Sequence, residues 1–352
     1  MSLTPGTKNK LKTVLIVTLA GIIIGIVFAN LAFGFTFYRI IKGTLIGALI
    51  ASLSSSAEMF LFPKKLKRLS FISELIVRSF FYIAIISVST LLVVVIHESL
   101  EDEMSFVEAL FGRDVSNFLQ TDFKYVFAFA IFGSLLMNFI SQINRILGKG
   151  VLINTILGKY RRPISEERIF MFLDIKSATT LGEKLGAKTY SSFLQDFFFD
   201  ITDPIIETSG VIYQYVGDEV VLTWKAKKGM KNNNCINCFF KIRRKIQENK
   251  NFYLKKYGIV PEFKAGLHIG EAIVTEVGDL KKEIVFHGDV LNTTSRIQSQ
   301  CNQLNQQLLI SDAVFNKLAE KNGFDFLSMG KYKLRGKEEE VELFGVNVIL
   351  GK

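Results

Sequence analysis

Cysteine, proline, histidine and tryptophan are all scarce in this chain. Its 352 residues include 3 cysteines, 5 prolines, 3 histidines and 1 tryptophan. Three cysteines exclude a disulfide-stapled framework. Cys235 and Cys238 form a single Cys-x-x-Cys pair with no second pair, so a zinc site would lack half of its usual ligands. We therefore expect these two cysteines to lie on a helix of a cytosolic domain.

Nucleic-acid-binding motifs with interleaved aromatic residues are also missing. The formal net charge is +10, but the basic residues cluster at the ends of apolar stretches. This pattern favours contact with the surface of a lipid bilayer and argues against a nucleic-acid partner.

The chain changes character near residue 146. Residues 1–146 are dominated by long apolar stretches, whereas residues 160–352 have the mixed composition of a globular domain. We predict a membrane domain over 1–146, a juxtamembrane helical connector over 147–164 and a soluble domain over 165–350.

Four stretches are long and apolar enough to cross a bilayer as helices, which takes about 17–25 residues each. They lie near residues 14–33, 45–62, 80–96 and 126–143. The first is too long for a cleaved signal peptide, and a second span follows it closely. The sequence therefore predicts an N-terminal all-α transmembrane bundle of four helices.

The basic residues around these spans all fall on one side of the predicted bundle, whereas the loop between spans three and four is acidic. The basic clusters contain Lys8, Lys10, Lys12, Lys64, Lys65, Lys67, Arg68, Arg145, Lys149, Lys159, Arg161 and Arg162. By the positive-inside rule, both termini are cytoplasmic and the protein is a multi-pass protein of the cell (inner) membrane.

Two ionisable residues lie in or beside the spans. Glu58 falls within span two, where a charge is costly and often functional. We expect a structural role, because the basic loop at 63–68 is one turn away. His97 ends span three and could titrate near neutral pH, although an interfacial histidine is more often incidental.

The 97–125 loop is too short for a sensor domain but could touch a ligand or a partner.

The segment 141–160 keeps helical periodicity beyond the last span. Glycines at 148, 150 and 158 interrupt it. It could carry a rotation or a register change from the spans to the soluble domain. It could equally be an amphipathic linker on the lipid surface, and the sequence leaves both interpretations open.

Strand-like and helix-like segments alternate in the soluble half. Their order is β-α-α-β-β-α-β-β-α-β-α-β-β, with one strand pair predicted around Gly270. The predicted strands cover residues 168–175, 210–215, 220–224, 261–269, 271–277, 307–311, 324–335 and 341–348. This order indicates an α+β domain with helices against a mainly antiparallel sheet.

Two aspartates are placed where they could hold cations. Asp174 ends the first predicted strand, and Asp218 lies at the tip of a predicted hairpin. Adjacent carboxylates suit hard cations such as Mg²⁺ or Mn²⁺, and two such cations suit phosphoryl transfer. Ser177 and Thr179 open the next helix, where their hydroxyls could act as caps. The backbone N–H groups of that helix start could seat a triphosphate.

An amide and a guanidinium share one face of a later predicted helix. Asn292 and Arg296 are four residues apart, which places them on the same side. These two groups suit the ribose and the phosphate charge of a nucleotide.

Three motifs resemble those of the class III nucleotidyl cyclases, the adenylyl and guanylyl cyclase catalytic domain. Residues 172–179 (FLDIKSAT) and 215–219 (YVGDE) are similar to the two metal-binding segments of that family. Residues 288–296 (GDVLNTTSR) are similar to its Asn-x-x-x-Arg helix. The resemblance runs from about residue 168 to 348. It implies that residues 165–350 form a ferredoxin-like, palm-type α+β catalytic domain.

The resemblance also implies a mechanism. Two divalent cations, Mg²⁺ or Mn²⁺, would be bound at Asp174, Ile175 and Asp218. Asn292 would orient the ribose, and Arg296 would stabilise charge at the α-phosphate. The ribose 3′-oxygen would attack the α-phosphorus, release pyrophosphate and close a cyclic nucleotide. In this family the metals and the Asn/Arg pair come from different catalytic domains, which implies a homodimer.

Further nucleotide contacts follow from the same resemblance. A basic residue near the last hairpin would contact pyrophosphate, and residues 332–337 (YKLRGK) offer Arg335 and Lys337. At the purine positions, Gln214 replaces the lysine of adenylyl types or the glutamate of guanylyl types. Val285 replaces the aspartate or threonine of adenylyl types. Glutamine can face either purine. ATP is expected because it is the commoner substrate of bacterial members, and GTP stays open.

Two other interpretations compete with an adenylate cyclase of intracellular signalling. Gln214 and Val285 would also fit a degenerate cyclase domain that acts as a nucleotide-binding regulatory module. The four intact candidate catalytic and metal-binding residues argue against it: Asp174, Asp218, Asn292 and Arg296. A channel or transporter with a nucleotide-sensing domain is disfavoured, since the predicted spans contain one clear charge.

Overall fold

A computed structural model describes residues 5–33, 37–62, 69–148, 151–335 and 339–349 of the chain. The basic cluster at 63–68 and Lys337 lie outside the described residues. The chain separates into two compact units, residues 1–146 and 147–352. Each unit is described by itself.

The first unit is entirely helical in its described parts. Its helices are α1 (Pro5–Phe33), α2 (Phe37–Ser56), α3 (Phe71–Glu101), α4 (Phe106–Leu110), α5 (Arg113–Asn117) and α6 (Phe123–Leu147). One π-helical turn at Ala57–Leu61 extends α2, and another at Phe118–Asp122 precedes α6. Four helical segments are long and apolar enough to cross a membrane: Lys10–Asn30, Ile40–Leu61, Phe71–Glu101 and Phe106–Asn144. The prediction of four long apolar helices is therefore confirmed.

Helices α1 and α2 pack against each other through glycines. A Cβ atom on Gly25 would lie 2.1 Å from the backbone oxygen of Gly43. A Cβ on Gly47 would lie 2.2 Å from the oxygen of Gly21. Small residues four apart on facing helices let the backbones approach closely, which is how apolar helices associate in lipid. A side chain at any of these four glycine positions would collide with the facing helix.

A buried ion-pair network joins α2 to α3. Arg78, at 3% exposure, bonds to Glu58 and lies 2.7 Å from an oxygen of Glu74. Tyr82 donates a second hydrogen bond to Glu58, and the Arg78 guanidinium stacks 4.7 Å from the ring centre of Phe62. The partner of Glu58 is therefore an arginine on the next helix. Sequence reasoning missed it because the predicted span began at residue 80, whereas α3 begins at Phe71.

The second unit alternates helices with eight strands. The strands are β1 (Ile164–Ile175), β2 (Val211–Val216), β3 (Glu219–Lys225), β4 (Phe263–Val277), β5 (Glu283–His287), β6 (Leu308–Ser311), β7 (Phe324–Tyr332) and β8 (Val341–Val348). The helices are α7 (Val151–Ile156), α8 (Ala178–Leu185), α9 (Ala187–Asp200), α10 (Thr202–Glu207), α11 (Ala226–Met230), α12 (Asn234–Glu248), α13 (Lys250–Tyr257), α14 (Asp289–Gln303) and α15 (Asp312–Lys317). In the connector, Gly148 has a positive φ of 94° where α6 has ended.

The strands form one sheet in the order β2-β3-β1-β4-β6-β8-β7, and β5 pairs with β4. The pairing of β4 with β6 is parallel, and the other pairs are antiparallel. The predicted α+β class with a mainly antiparallel sheet is confirmed. Strand β1 lies between β3 and β4, and its residues 168–173 are all buried. The end of β1 that carries Asp174 is therefore held on both sides.

The predicted strand pair around Gly270 is wrong. Strand β4 runs without a turn from Phe263 to Val277, and its second half pairs with β5, which the sequence did not predict. Gly270 sits inside the strand because a Cβ there would lie 3.3 Å from the side chain of Val290 on α14. The glycine thus serves a close helix–strand approach, as glycines inside strands often do.

Aromatic side chains fill the core between the sheet and the helices α9, α12 and α13. Phe193, Phe197, Trp224 and Tyr253 are among its largest fully buried members. The helix α12 carries Cys235 and Cys238, both buried, and burial raises the pKa of each thiol to about 12. Their surroundings are those of core cysteines.

Replacing Gly25 with alanine is expected to destabilise the first unit by roughly 1–3 kcal/mol, because the added Cβ overpacks the α1–α2 crossing. Gly133→Ala on α6 is the matched control, since its Cβ would have no neighbour within 4 Å. The measurement is the fraction of detergent-solubilised full-length protein that stays monodisperse after heating. If the monodisperse fraction after heating were the same for both variants, α1 and α2 would have to lie farther apart at their crossing than described.

Candidate active site

The two aspartates singled out by the sequence meet at the end of β1. Asp174 pairs in register with Glu219 on β3 and with Lys264 on β4. Asp218 lies in the β2–β3 turn, which the positive φ of Gly217 (63°) closes. The carboxylates of Asp218 and Asp174 lie close enough that Asp174 raises the pKa of Asp218. We refer to Asp174 and Asp218 as the acidic pair.

Negative charge is concentrated around the acidic pair. Burial, followed by the hydrogen bond and the charge of Asp174, raises the pKa of Asp218 to about 6. Burial and the charges of both aspartates raise the pKa of Glu219 to about 7. Such shifts arise where carboxylates crowd together without enough positive charge to compensate. Oxygen ligands in this arrangement fit a hard divalent cation.

Three further side chains surround the acidic pair, and sequence reasoning missed all of them. The Nζ atom of Lys264 lies 3.5 Å from Oδ2 of Asp174. Gln298 on α14 donates a 3.0 Å hydrogen bond to the same oxygen. Burial and then the two aspartate charges raise the pKa of Tyr190. None of the three belongs to a motif, so tertiary contacts alone reveal them.

The residues after Asp174 turn the chain into α8. The side chain of Ile175 is 1% exposed in the core, so only its backbone carbonyl could face a cation. Ser177 has a left-handed backbone (φ 56°), and its side chain makes no capping bond to α8. The expected hydroxyl cap is therefore wrong, and both Ser177 and Thr179 are exposed. The first N–H groups of α8 lack a side-chain cap and can receive an anion.

Helix α14 presents the candidate site residues on two opposite faces. Gln298 contacts Asp174 of its own chain. Arg296 precedes Gln298 by two residues, which is about 200° around a helix of 3.6 residues per turn. Asn292 lies one turn before Arg296 on the same side and is exposed. The structure thus brings Asn292 and Arg296 together but points them away from the acidic pair of the same chain.

Arg296 borders a cleft of about 580 Å³. The other residues that line it are Ser299, Gln300, Tyr332, Lys333, Leu334 and Arg335. The Nη1 atom of Arg296 is buried without a hydrogen-bond partner among the described residues. An unpartnered buried guanidinium nitrogen is costly, so this cleft fits an anionic group. Arg335, predicted from the sequence, lines the same cleft.

The two purine candidates lie on strands β2 and β5, which are not hydrogen-bonded to each other in the sheet. Gln214 is exposed on β2, and Val285 is partly buried on β5. The ring centres of Tyr213 and Phe286, the adjacent residues, are 4.9 Å apart. The two strands thus meet through side chains of residues adjacent to the two candidates.

Comparison with known proteins adds family information to this geometry. A family model for the adenylate and guanylate cyclase catalytic domain matches residues 163–347. The chain is similar to adenylate cyclase 2 of Rhizobium meliloti (strain 1021), with 32% identity over 221 residues, 63% of this chain and 60% of that protein. It is also similar to adenylate cyclase 1 of the same organism, with 25% identity over 186 residues. That match covers 51% of this chain and 27% of the relative.

Among solved structures, a bacterial light-regulated adenylyl cyclase shares the fold. The TM-score is 0.51 at 22% sequence identity, and the match covers 61% of this chain and 64% of that one. At this level of identity the likeness concerns the fold alone.

Replacing Asp218 with asparagine is expected to stabilise the metal-free protein at pH 8 by roughly 1 kcal/mol once solvent screening is allowed for. An acid whose folded pKa is raised destabilises the fold as it ionises. The penalty is therefore absent below about pH 4 and complete above about pH 7. The measurement is the melting temperature of full-length protein in detergent with EDTA or Mn²⁺.

Mn²⁺ should raise the melting temperature of the unmodified protein but not that of Asp218→Asn. Asp279→Asn, which removes an exposed carboxylate from the β4–β5 loop, is the matched control and should behave like the unmodified protein. If Mn²⁺ raised the melting temperature of Asp218→Asn as much as that of Asp279→Asn, this would contradict a cation site at the acidic pair.

Proposed function

Because this chain belongs to the family of adenylate and guanylate cyclase catalytic domains, we propose that it is a membrane-bound adenylate cyclase. It would convert ATP to 3′,5′-cyclic AMP and pyrophosphate in intracellular signalling. The observation that carries the proposal is a pair of neighbouring carboxylates, one at the end of β1 and one in the adjacent β2–β3 turn, beside the start of an uncapped helix.

The acidic pair would hold two divalent cations, Mg²⁺ or Mn²⁺, with the backbone carbonyl of Ile175 as a further ligand. The raised pKa of Asp218 supports this role, since a cation relieves the crowding of negative charge. Bound cations would neutralise charge on the triphosphate and would make the ribose 3′-hydroxyl more acidic. Lys264 and Gln298 hold Asp174 in place through its Oδ2 atom.

The remaining predicted residues would bind and orient the nucleotide. The N–H groups at the start of α8, near Ser177 and Thr179, would receive triphosphate oxygens. Arg296 would stabilise charge at the α-phosphate, and Asn292 would orient the ribose for in-line attack of its 3′-oxygen. Arg335 and Lys337 would contact the pyrophosphate. The buried Nη1 of Arg296, which has no hydrogen-bond partner in the part of the chain that the structure describes, and its shared cleft with Arg335 support this assignment.

A complete site needs two copies of the chain. The acidic pair contacts one face of α14 through Gln298, whereas Asn292 and Arg296 lie on the other face. Helix α14 packs directly on β4, so its body separates the two faces and one nucleotide cannot reach both. A twofold homodimer would bring the acidic pair of one copy to the Asn292–Arg296 face of the other and so create two equivalent sites.

ATP is the proposed substrate because both curated relatives are named adenylate cyclases. Gln214 can donate a hydrogen bond and accept one, so it can face the edge of adenine. Val285 offers only apolar contact. GTP remains the competing substrate and is one arm of the test below.

The four long apolar helices support a multi-pass location in the cell membrane. The placement of basic residues on one side of these helices supports cytoplasmic termini. The catalytic domain would then act in the cytoplasm, where its nucleotide substrate is found.

Purified full-length protein in detergent with Mn²⁺ and ATP is expected to form cyclic AMP, and Asp174→Ala should lower the rate at least about 10³-fold through lost charge stabilisation. Parallel reactions with GTP measure purine choice. Cyclic GMP as the main product would show that GTP is the substrate and would leave the proposed mechanism unchanged. Folded, dimeric protein that makes neither product would instead favour a nucleotide-binding regulatory module.

Two inactive variants should complement each other if the sites lie between subunits. Asp174→Ala and Arg296→Ala, co-expressed with different tags, are expected to recover about a quarter of the unmodified rate. Half of the random dimers are mixed, and each mixed dimer has one intact site out of two. Co-expression of Asp174→Ala with Asp218→Ala is the control and should stay inactive. A mixture of the first two variants that also stays inactive would contradict the shared site.

A further inference from the structure

A histidine and two carboxylates converge where α3 meets α5, far along the chain from the acidic pair. The Nε2 atom of His97 lies 3.1 Å from Oε2 of Glu101, one turn later on α3. One ligand atom each from His97, Glu101 and Asp114 lie within 4.8 Å of one another. We refer to these three residues as the α3–α5 triad.

The triad combines a fixed imidazole with accessible carboxylates. His97 is 9% exposed, so packing restricts the orientation of its ring. The side chain of Glu101 is 59% exposed, and Asp114 is also exposed. An ion could therefore enter from solvent and meet a nitrogen ligand that is already in place.

Buried contacts hold Asp114 beside α3. The carboxylate of Glu98, 1% exposed, accepts hydrogen bonds of 2.8 Å from the N–H of Asp114 and 2.9 Å from that of Val115. A Cβ on Gly112 would lie 2.1 Å from Glu98 Oε1, so glycine permits this approach. The position of Asp114 is thus set by its backbone, as expected where outer contacts orient a metal ligand.

The segment between α3 and α6 contains two short helices, whereas the sequence pattern predicts a loop there. Ser105 and Glu108 form a capping box at the start of α4. The Ser99 hydroxyl donates a 2.7 Å bond to the carbonyl of Met104. Val95, Ala109 and Val115 form a small apolar cluster, which joins α4 and α5 to α3. A short segment with its own caps and core can hold a site in fixed geometry.

We propose that the α3–α5 triad binds a divalent transition-metal ion of the Zn²⁺ class. One imidazole nitrogen and two carboxylate oxygens suit borderline ions such as Zn²⁺ and Co²⁺, whereas Mg²⁺ and Ca²⁺ prefer oxygen ligands alone. Three protein ligands leave a further coordination position for water. Under the proposed membrane orientation, this end of α3 faces away from the cytoplasm.

The test is Co²⁺ titration of full-length protein in detergent, with the affinity tag removed. Asp174→Asn and Asp218→Asn are included to remove the acidic pair. We expect one Co²⁺ per chain, visible absorption bands of nitrogen-ligated Co²⁺, and loss of those bands on addition of Zn²⁺. His97→Gln, Glu101→Gln and Asp114→Asn should each weaken binding at least about 100-fold, since changes to outer-shell partners alone cost 10–100-fold.

Two matched controls accompany these variants. His287→Gln removes an exposed histidine of the second unit, and Asp102→Asn removes an exposed carboxylate next to Glu101. Both should leave Co²⁺ affinity unchanged. If His97→Gln does not fold, the exposed residues Glu101 and Asp114 decide the outcome. An absence of Co²⁺ binding, or affinities of the triad variants equal to those of the controls, would show a His97–Glu101 ion pair only and overturn the proposal.

Discussion

The antiparallel placement of β1 between β3 and β4 is the constraint on which the candidate active site depends. Pairing with β3 sets Asp174 opposite Glu219 and beside the turn that carries Asp218. Pairing with β4 sets it opposite Lys264. A slip of one residue would turn each side chain to the other face of the sheet. Both faces of β1 are buried, so such a slip would exchange the side chains that pack in two different core clusters, Ile169, Met171 and Leu173 in one and Phe170 and Phe172 in the other.

Strand β4 extends the same constraint to helix α14. A Cβ on Gly266 would lie 2.4 Å from the backbone nitrogen of Gln298. The helix can therefore approach the sheet closely enough for Gln298 to reach Asp174. This approach also fixes which face of α14, with Asn292 and Arg296, points away. The acidic pair and the Asn292–Arg296 face are thus two results of a single packing arrangement.

Local patterns were enough to predict much of this arrangement. A strand end and a Gly-Asp turn identified Asp174 and Asp218, and helical spacing identified Asn292 with Arg296. Gly270 was misinterpreted as a turn. Glycine is needed at this position because a side chain there would crowd Val290, which lies on a later helix. Gln298 lies 124 residues from Asp174 along the chain, so no local pattern could connect them. Arg78 was missed because the predicted third span began at residue 80, so the pairing of Arg78 with Glu74 one turn earlier and with Glu58 on the preceding helix was not considered.

The two faces of α14 also concern communication between subunits. In a dimer assembled as proposed, each copy of this helix would contact the metal-binding carboxylates of one site through Gln298 and the nucleotide of the other site through Arg296. A small rigid helix cannot move at one face without moving at the other. Occupation of the first site would then alter the affinity of the second, and the enzyme would bind its two nucleotides cooperatively.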